Sequence, residues 1–125
     1  MSRILVIDDI DEARNTVCKI LTRNGFDVVE AYNGKEAIKL VKNNMPDLVI
    51  TDILMPEMEG LETIQELMKL NRKLPIVAIT GSTDSPYLQV ALKLGATKGL
   101  YKPFNQADLL SAVNSALNSV NEISN

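Results

Sequence analysis

The sequence contains no histidine, and that absence removes the commonest general base and the commonest zinc ligand together. It has one cysteine, Cys18, so no internal disulfide can form. Within a helical pattern Cys18 reads as a small core hydrophobe. Basic charge is not in excess: 13 Lys and Arg against 16 Asp and Glu leave a net charge of −3. Such a balance offers no positive field to nucleic acid or to an anionic membrane surface. No apolar run approaches the roughly 18 residues of a membrane-spanning helix, and no signal-peptide pattern is present. Internal repeats and low-complexity tracts are absent too. The chain is therefore expected to work in the cytoplasm, with neither nucleic acid nor membrane as a partner of this domain.

What is present has the size and composition of a single globular domain: 125 residues, 46% hydrophobic and 23% charged, enough to bury a core. Residues 3–7, 47–51 and 75–80 are short, continuous apolar runs rich in β-branched side chains, with Val28-Val29 and Leu100-Tyr101 as weaker versions. Runs of this kind suit strands buried on both faces, as in a parallel sheet. Helical segments lie between them. The first opens near Asp11, carries Ala13, Val17, Ile20 and Leu21 at helical spacing, and closes at Gly25. The second has Asn33 with Glu36 three residues on, a capping-box spacing, and Pro46 forbids its continuation.

A third helix is predicted from about Glu59 to Leu70, with Leu61, Ile64, Leu67 and Met68 facing inward. For the fourth, Ser85 is the expected cap, Pro86 the first helical residue and Gly95 the end. The fifth is capped by Asn105 and carries Leu109, Leu110, Val113, Ala116 and Leu117. Five strand–helix pairs joined by short connections predict a doubly wound α/β sandwich. Residues 1–120 are expected to form the domain and 121–125 a polar tail or the start of a linker, the polar character beginning at Asn118.

Acidic residues end two of the strands. The run Arg3–Ile7 leads into Asp8 and Asp9, and Leu48–Thr51 leads into Asp52. In an open parallel sheet, ligands sit beyond the carboxyl ends of the strands. Carboxylates gathered at that edge repel one another, which costs stability unless a cation sits among them. Thr80 and Lys102 close two further strands. Oxygen-only ligation suits Mg2+, the Lys102 ammonium can meet an anion, and the Thr80 hydroxyl can donate to a phosphoryl oxygen. A metal, an ammonium and a hydroxyl donor around one carboxylate make a phosphoryl-transfer site with that carboxylate as nucleophile.

The ordered set Asp8-Asp9, Asp52-Ile53-Leu54-Met55-Pro56, Gly60, Ile79-Thr80-Gly81, Gly95-Ala96 and Lys102-Pro103-Phe104 resembles the signature of two-component response-regulator receiver domains over almost the whole chain. The resemblance implies a flavodoxin-like fold, a five-stranded parallel sheet in order 2-1-3-4-5 with five helices. It implies that Asp52 takes a phosphoryl group from a histidine kinase or a phosphotransfer protein. Asp9, Asp52 and the Leu54 carbonyl would bind Mg2+ directly, Asp8 through a water, while Lys102 and Thr80 grip the phosphoryl group. A cis peptide between Lys102 and Pro103 is implied as well. An unknown output partner would read the face made by the fourth helix, fifth strand and fifth helix, with a phosphorylation-dependent homodimer as one option. No turnover of an external substrate is expected, only the domain's own phosphorylation and slow dephosphorylation.

Two features depart from or qualify that pattern. Gly99 stands where such domains usually carry Tyr or Phe, so either Tyr101 or another bulky group is expected to take over, or coupling runs through the backbone. Leu54 and Ser82 occupy the positions that tune phosphoryl lifetime in the family; Leu54 cannot hydrogen-bond an attacking water, which predicts slow loss. The alternatives weighed are a pseudo-receiver that serves as a phosphorylation-independent binding platform, and a phosphohydrolase resembling the haloacid dehalogenase family. The latter needs a second Asp two residues after the nucleophile, where this chain has Ile10 or Leu54.

Overall fold

The apolar runs fold as strands β1 (Arg3–Ile7), β2 (Asp27–Ala31), β3 (Leu48–Asp52), β4 (Ile76–Thr80) and β5 (Lys98–Tyr101). They alternate with helices α1 (Asp11–Arg23), α2 (Gly34–Asn43), α3 (Gly60–Leu70), α4 (Tyr87–Leu94) and α5 (Gln106–Ser124). The computed structural model describes residues 2–55, 60–81 and 86–124. All strand pairs are parallel and the order is β2-β1-β3-β4-β5, as the sequence resemblance implied.

Alternation along the central strands divides the core in two. Leu5, Ile7, Val49, Ile76 and Ala78 pack with Ala37 and Val41 of α2, Ile64 and Leu67 of α3, and Leu88 and Ala91 of α4. On the opposite face Ile4, Val6, Leu48, Ile50, Val77 and Ile79 meet Val17 and Leu21 of α1 and Leu109, Val113 and Ala116 of α5. Each fully buried Ile or Leu contributes about 1.5–3 kcal/mol relative to an exposed one, so both faces hold β1, β3 and β4 in register. Cys18 packs at the margin of this second cluster, as expected of a small hydrophobe. Burial, together with the nearby Glu30, pushes its thiol up to about 12.

Helix ends follow the polar punctuation. The Asn33 side chain accepts from the Glu36 amide at 2.8 Å, and the Glu36 carboxylate accepts from the Tyr32 amide at 3.1 Å, a reciprocal cap. Asn105 and Asp108 repeat this at α5, at 2.8 and 3.3 Å. After α1, Gly25 has φ +88°. Gly95 ends α4 with φ +127°, and a Cβ there would lie 2.6 Å from the Met68 sulfur, so the glycine also permits α4 to approach α3.

Boundaries differ from expectation in small ways. Pro86 is the residue before α4 rather than its first member; it lacks an amide to satisfy in either place. Strands β3 and β4 begin one residue late, and β3 takes Asp52 as its last residue. The segment expected as tail continues α5 through Ser124. Glu59 and Ser85, expected at helix starts, lie outside the described residues.

Gly60 opens α3 against the strand end that carries Asp52. Its amide donates to the Ile53 carbonyl at 2.6 Å. A Cβ at position 60 would strike the Asp52 carbonyl oxygen and the Ile53 Cα, and would lie 2.6 Å from the Ile53 oxygen. These are backbone atoms and cannot swing aside as a flexible side chain can. Gly60→Ala is therefore expected to cost about 1–3 kcal/mol, seen as a lower urea midpoint with unchanged m value.

Candidate functional site

The chain runs from β1 to β2 on one side and returns to β3 on the other, so the carboxyl ends of β1 and β3 flank the point where strand order reverses. Ile7 pairs with Thr51, and the next residue on each strand is an aspartate. The carboxylate oxygens of Asp8, Asp9 and Asp52 lie within 4.8 Å of one another, the one such acidic group among the described residues. Asp8 and Asp52 are only 6% and 7% exposed, and Asp9 is half-buried.

Lys102 follows β5 and brings the cation. Its Nζ lies 3.2 Å from Asp52 Oδ2 and 3.9 Å from Asp8 Oδ2. The lysine backbone is fixed as well, its amide donating to the Thr80 carbonyl at 2.8 Å, and the Lys102–Pro103 peptide is cis. Thr80 ends β4, pairs with Tyr101 and is fully buried. Two amides add to the grip on the acids: Ile10 donates to Asp8 Oδ1 at 3.0 Å and Leu54 to Asp52 Oδ1 at 3.3 Å. The structure thus brings together Asp8, Asp9, Asp52 and Lys102, with Thr80 and the Leu54 peptide beside them. Ser82 lies outside the described residues.

Burial raises the pKa of Asp8 above the ordinary 3.8, with the charges of Asp52 and Asp9 adding to the rise; the Ile10 amide and Lys102 offset part of it. Three carboxylates face one ammonium, so negative charge is left over. The donors are all oxygens, whereas the lone thiol, Cys18, lies within the α1 packing and holds its proton. This donor set fits a hard divalent cation of the Mg2+ kind.

Arg14 was not singled out by sequence reasoning. Its Nη1 donates to the Asp8 carbonyl at 2.8 Å, Nη2 to Asp11 Oδ1 at 2.7 Å and Nε to Glu30 Oε1 at 3.1 Å. The Asp11–Arg14 spacing is a legible helical pair, but the reach to Glu30 and to the Asp8 carbonyl depends on tertiary placement.

Gly99 gives a second unforeseen contact. A Cβ there would lie 2.6 Å from both methyl carbons of Leu88 and 2.7 Å from its Cγ. Leu88 of α4, 6% exposed, already fills the space beside β5, while Tyr101 points partly to solvent at 36%. Gly81 is different: its φ is not positive, and among the described residues a Cβ would meet nothing within 4 Å.

A carboxyl whose folded pKa exceeds the unfolded one binds protons more readily when folded. Stability then falls as pH rises from 3.8 through the raised value and stays lowered above it. Asp8→Asn is accordingly expected to raise the melting temperature at pH 7 without metal, the gain shrinking as pH falls toward 3.8. Millimolar Mg2+ should stabilise the parent protein and stabilise the variant less. Paired thermal melts across pH check both; no gain at pH 7 would remove Asp8 as a source of strain.

The sequence model of the response regulator receiver domain matches residues 4–114. The chain is 37% identical over 117 residues to "Chemotaxis protein CheY" of Bacillus subtilis, covering 93% of this chain and 98% of that one. It is 36% identical over 115 residues to "Response regulator MprA" of a Mycobacterium species, covering 92% of this chain but 50% of that protein. The crystal structure of a response regulator receiver domain protein from Clostridium thermocellum superposes with a TM-score of 0.92 at 30% identity, covering 98% of this chain and 99% of that one.

Proposed function

The chain belongs to the response regulator receiver domain family, and from that membership we propose that it is a phosphoryl-activated switch whose acceptor is Asp52. The observation that carries this reading is the buried Asp52 carboxylate, 3.2 Å from the Lys102 ammonium and within 4.8 Å of two further carboxylates. A receiver is not a conventional enzyme: the bonds it makes and breaks are those of its own aspartate.

The donor is the phosphohistidine of a histidine kinase or a phosphotransfer protein. An oxygen of Asp52 attacks phosphorus, and the new O–P bond forms as the P–N bond to the imidazole breaks. The electron pair returns to that nitrogen, which takes up a proton. Lys102, already aimed at Asp52, meets the charge on the phosphoryl oxygens, and Thr80 donates its hydroxyl to one of them. Asp9, Asp52 and the Leu54 carbonyl would hold Mg2+ directly, with Asp8 acting through a water. Bound there, Mg2+ neutralises negative charge on the transferring group. Gly81 leaves room beside Thr80 for that group to enter.

Readout is assigned to the face of α4, β5 and α5, toward a partner protein or a second copy. Leu88 is the bulky group that takes the place of a side chain at position 99. Thr80 and Lys102, both at the site, flank the stretch that carries α4 and Gly99. A change at the site is therefore transmitted to the seat of α4, and by linkage a change at that seat returns to the site.

Incubation with acetyl phosphate and Mg2+ is expected to add one phosphoryl group by intact mass, and Asp52→Ala to abolish it. No adduct would favour a phosphorylation-independent binding platform. Since Leu54 offers no hydrogen bond to an attacking water, the adduct is expected to persist for minutes or longer with Mg2+ present; loss within seconds would contradict this.

Gly99→Ala must displace Leu88 and so loosen the seat of α4. It is expected to speed phosphoryl uptake severalfold, while Tyr101→Ala leaves the rate unchanged. The reverse result in a stopped-flow uptake assay would move the readout to Tyr101.

A further inference from the structure

The loop between β1 and α1 carries two of the three acids of the site. Helix α1 begins without a side-chain cap: Ile10 occupies the cap position and offers no acceptor. One carboxylate oxygen each of Asp8, Asp9 and Asp52 lies within 4.8 Å of the others, and like charges at that separation repel. The loop's ties are the Asp8 amide on the Ala31 carbonyl at 3.1 Å and the Arg14 amide on the Ile10 carbonyl at 3.0 Å, the Ile10 amide on Asp8 Oδ1, the Lys102 ammonium 3.9 Å from Asp8 Oδ2, and the Arg14 side chain.

Arg14 is well placed for a directional task. Its side chain is 12% exposed, and its three contacts run to three separate elements: the Asp8 carbonyl in the loop, Asp11 at the start of α1, and Glu30 in the edge strand β2. The Asp8 carbonyl belongs to the peptide that joins Asp8 to Asp9. Any rotation of that peptide swings the Asp9 carboxylate relative to Asp8 and Asp52. The 2.8 Å bond to Nη1 opposes such a rotation from the carbonyl side.

The effect is geometric rather than electrostatic. Asp11 and Glu30 offset the guanidinium charge, and the cation that bears on the Asp8 carboxyl is Lys102. A planar fork with five donors can serve three acceptors in different directions, which a lysine ammonium on its single flexible stem cannot match.

We propose that Arg14 is a positioning residue for the metal: by holding the Asp8–Asp9 peptide it sets the separation of the site carboxylates at which Mg2+ binds. The proposal rests on the metal-site reading above. Groups that orient metal ligands change affinity by about tenfold or more when removed.

Calorimetric Mg2+ titration of Arg14→Met, Arg14→Lys and Glu30→Gln tests it. Arg14→Met keeps the length of the side chain and is expected to weaken Mg2+ binding about tenfold, with Arg14→Lys in between. Glu30→Gln loosens the β2 anchor but spares the bond to Asp8, and is expected to bind Mg2+ like the parent even where its melting temperature drops. An unchanged Kd in Arg14→Met, or an equal loss in Glu30→Gln, would overturn the proposal. If Arg14→Met does not fold, an unchanged Kd in Arg14→Lys does the same. Amide hydrogen exchange at Asp9 and Ile10 without metal gives a reading independent of Mg2+. Faster exchange in the Arg14 variants supports the clamp and unchanged exchange overturns it, even should the parent protein bind no Mg2+ and the metal reading itself fail.

Discussion

Everything at the carboxyl edge depends on one imbalance: three carboxylates held within 4.8 Å of one another face a single ammonium. Two of the three acids are nearly excluded from water, where unpaired charge is costly. Folding alone would favour apolar or neutral residues there, as replacement of buried ionic groups commonly shows. The cluster persists because the two-sided core supplies enough stability to carry it. The site is therefore a local loss sustained by a global gain, and a cation or a phosphoryl group that completes it acts on a protein already biased toward the completed state.

The sheet makes that loss reproducible. Asp8 and Asp52 extend two hydrogen-bonded strands, β1 and β3, whose register is fixed along their length. A slip by one residue would turn Ile4 and Val6, or Leu48 and Ile50, to the wrong core. The acids inherit their spacing from aliphatic packing far below them. The ladder reaches one residue past each strand end, through the Asp8 amide on Ala31 and the Ile53 amide on Ile79. Gly60 then lets α3 lie directly on the Asp52–Ile53 backbone, and the Arg14 fork holds the peptide between Asp8 and Asp9. Each device converts a loop into an extension of the sheet.

Much of this was legible in the sequence, for reasons that differ from residue to residue. Strand runs ending in Asp, Thr and Lys could be read because burial on both faces leaves a simple apolar signature, and a polar residue at the end of it stands out. The Asn33–Glu36 cap is local and so was visible. Strand order was not in the periodicity at all; it came with the family resemblance. Arg14 was missed because two of its three acceptors are an internal carbonyl and a residue on strand β2, which no spacing rule connects. The Leu88–Gly99 contact was missed for a similar reason: a glycine signals missing volume, but not which distant side chain fills it. The extent of α5 through Ser124 was missed because its last turns carry polar residues that read as tail.

The two unforeseen contacts lie on opposite sides of the site and differ in kind. Arg14 ties the β1–α1 loop through directional hydrogen bonds, which resist rotation and give way only by breaking. Leu88 meets Gly99 by van der Waals contact alone, which permits sliding and repacking at low cost. Lys102, the cation that joins Asp52 to Asp8, is delivered by β5, a four-residue strand paired on one side only. Both α4 and α5 pack against β5, α4 through Leu88 at Gly99. Directional hydrogen bonds thus tie the loop that carries two of the acids, whereas the strand that leads to the cation meets α4 by van der Waals contact. A structure that had to change shape when negative charge arrives at Asp52 would move where its ammonium is carried, and that is the side on which the packing allows it.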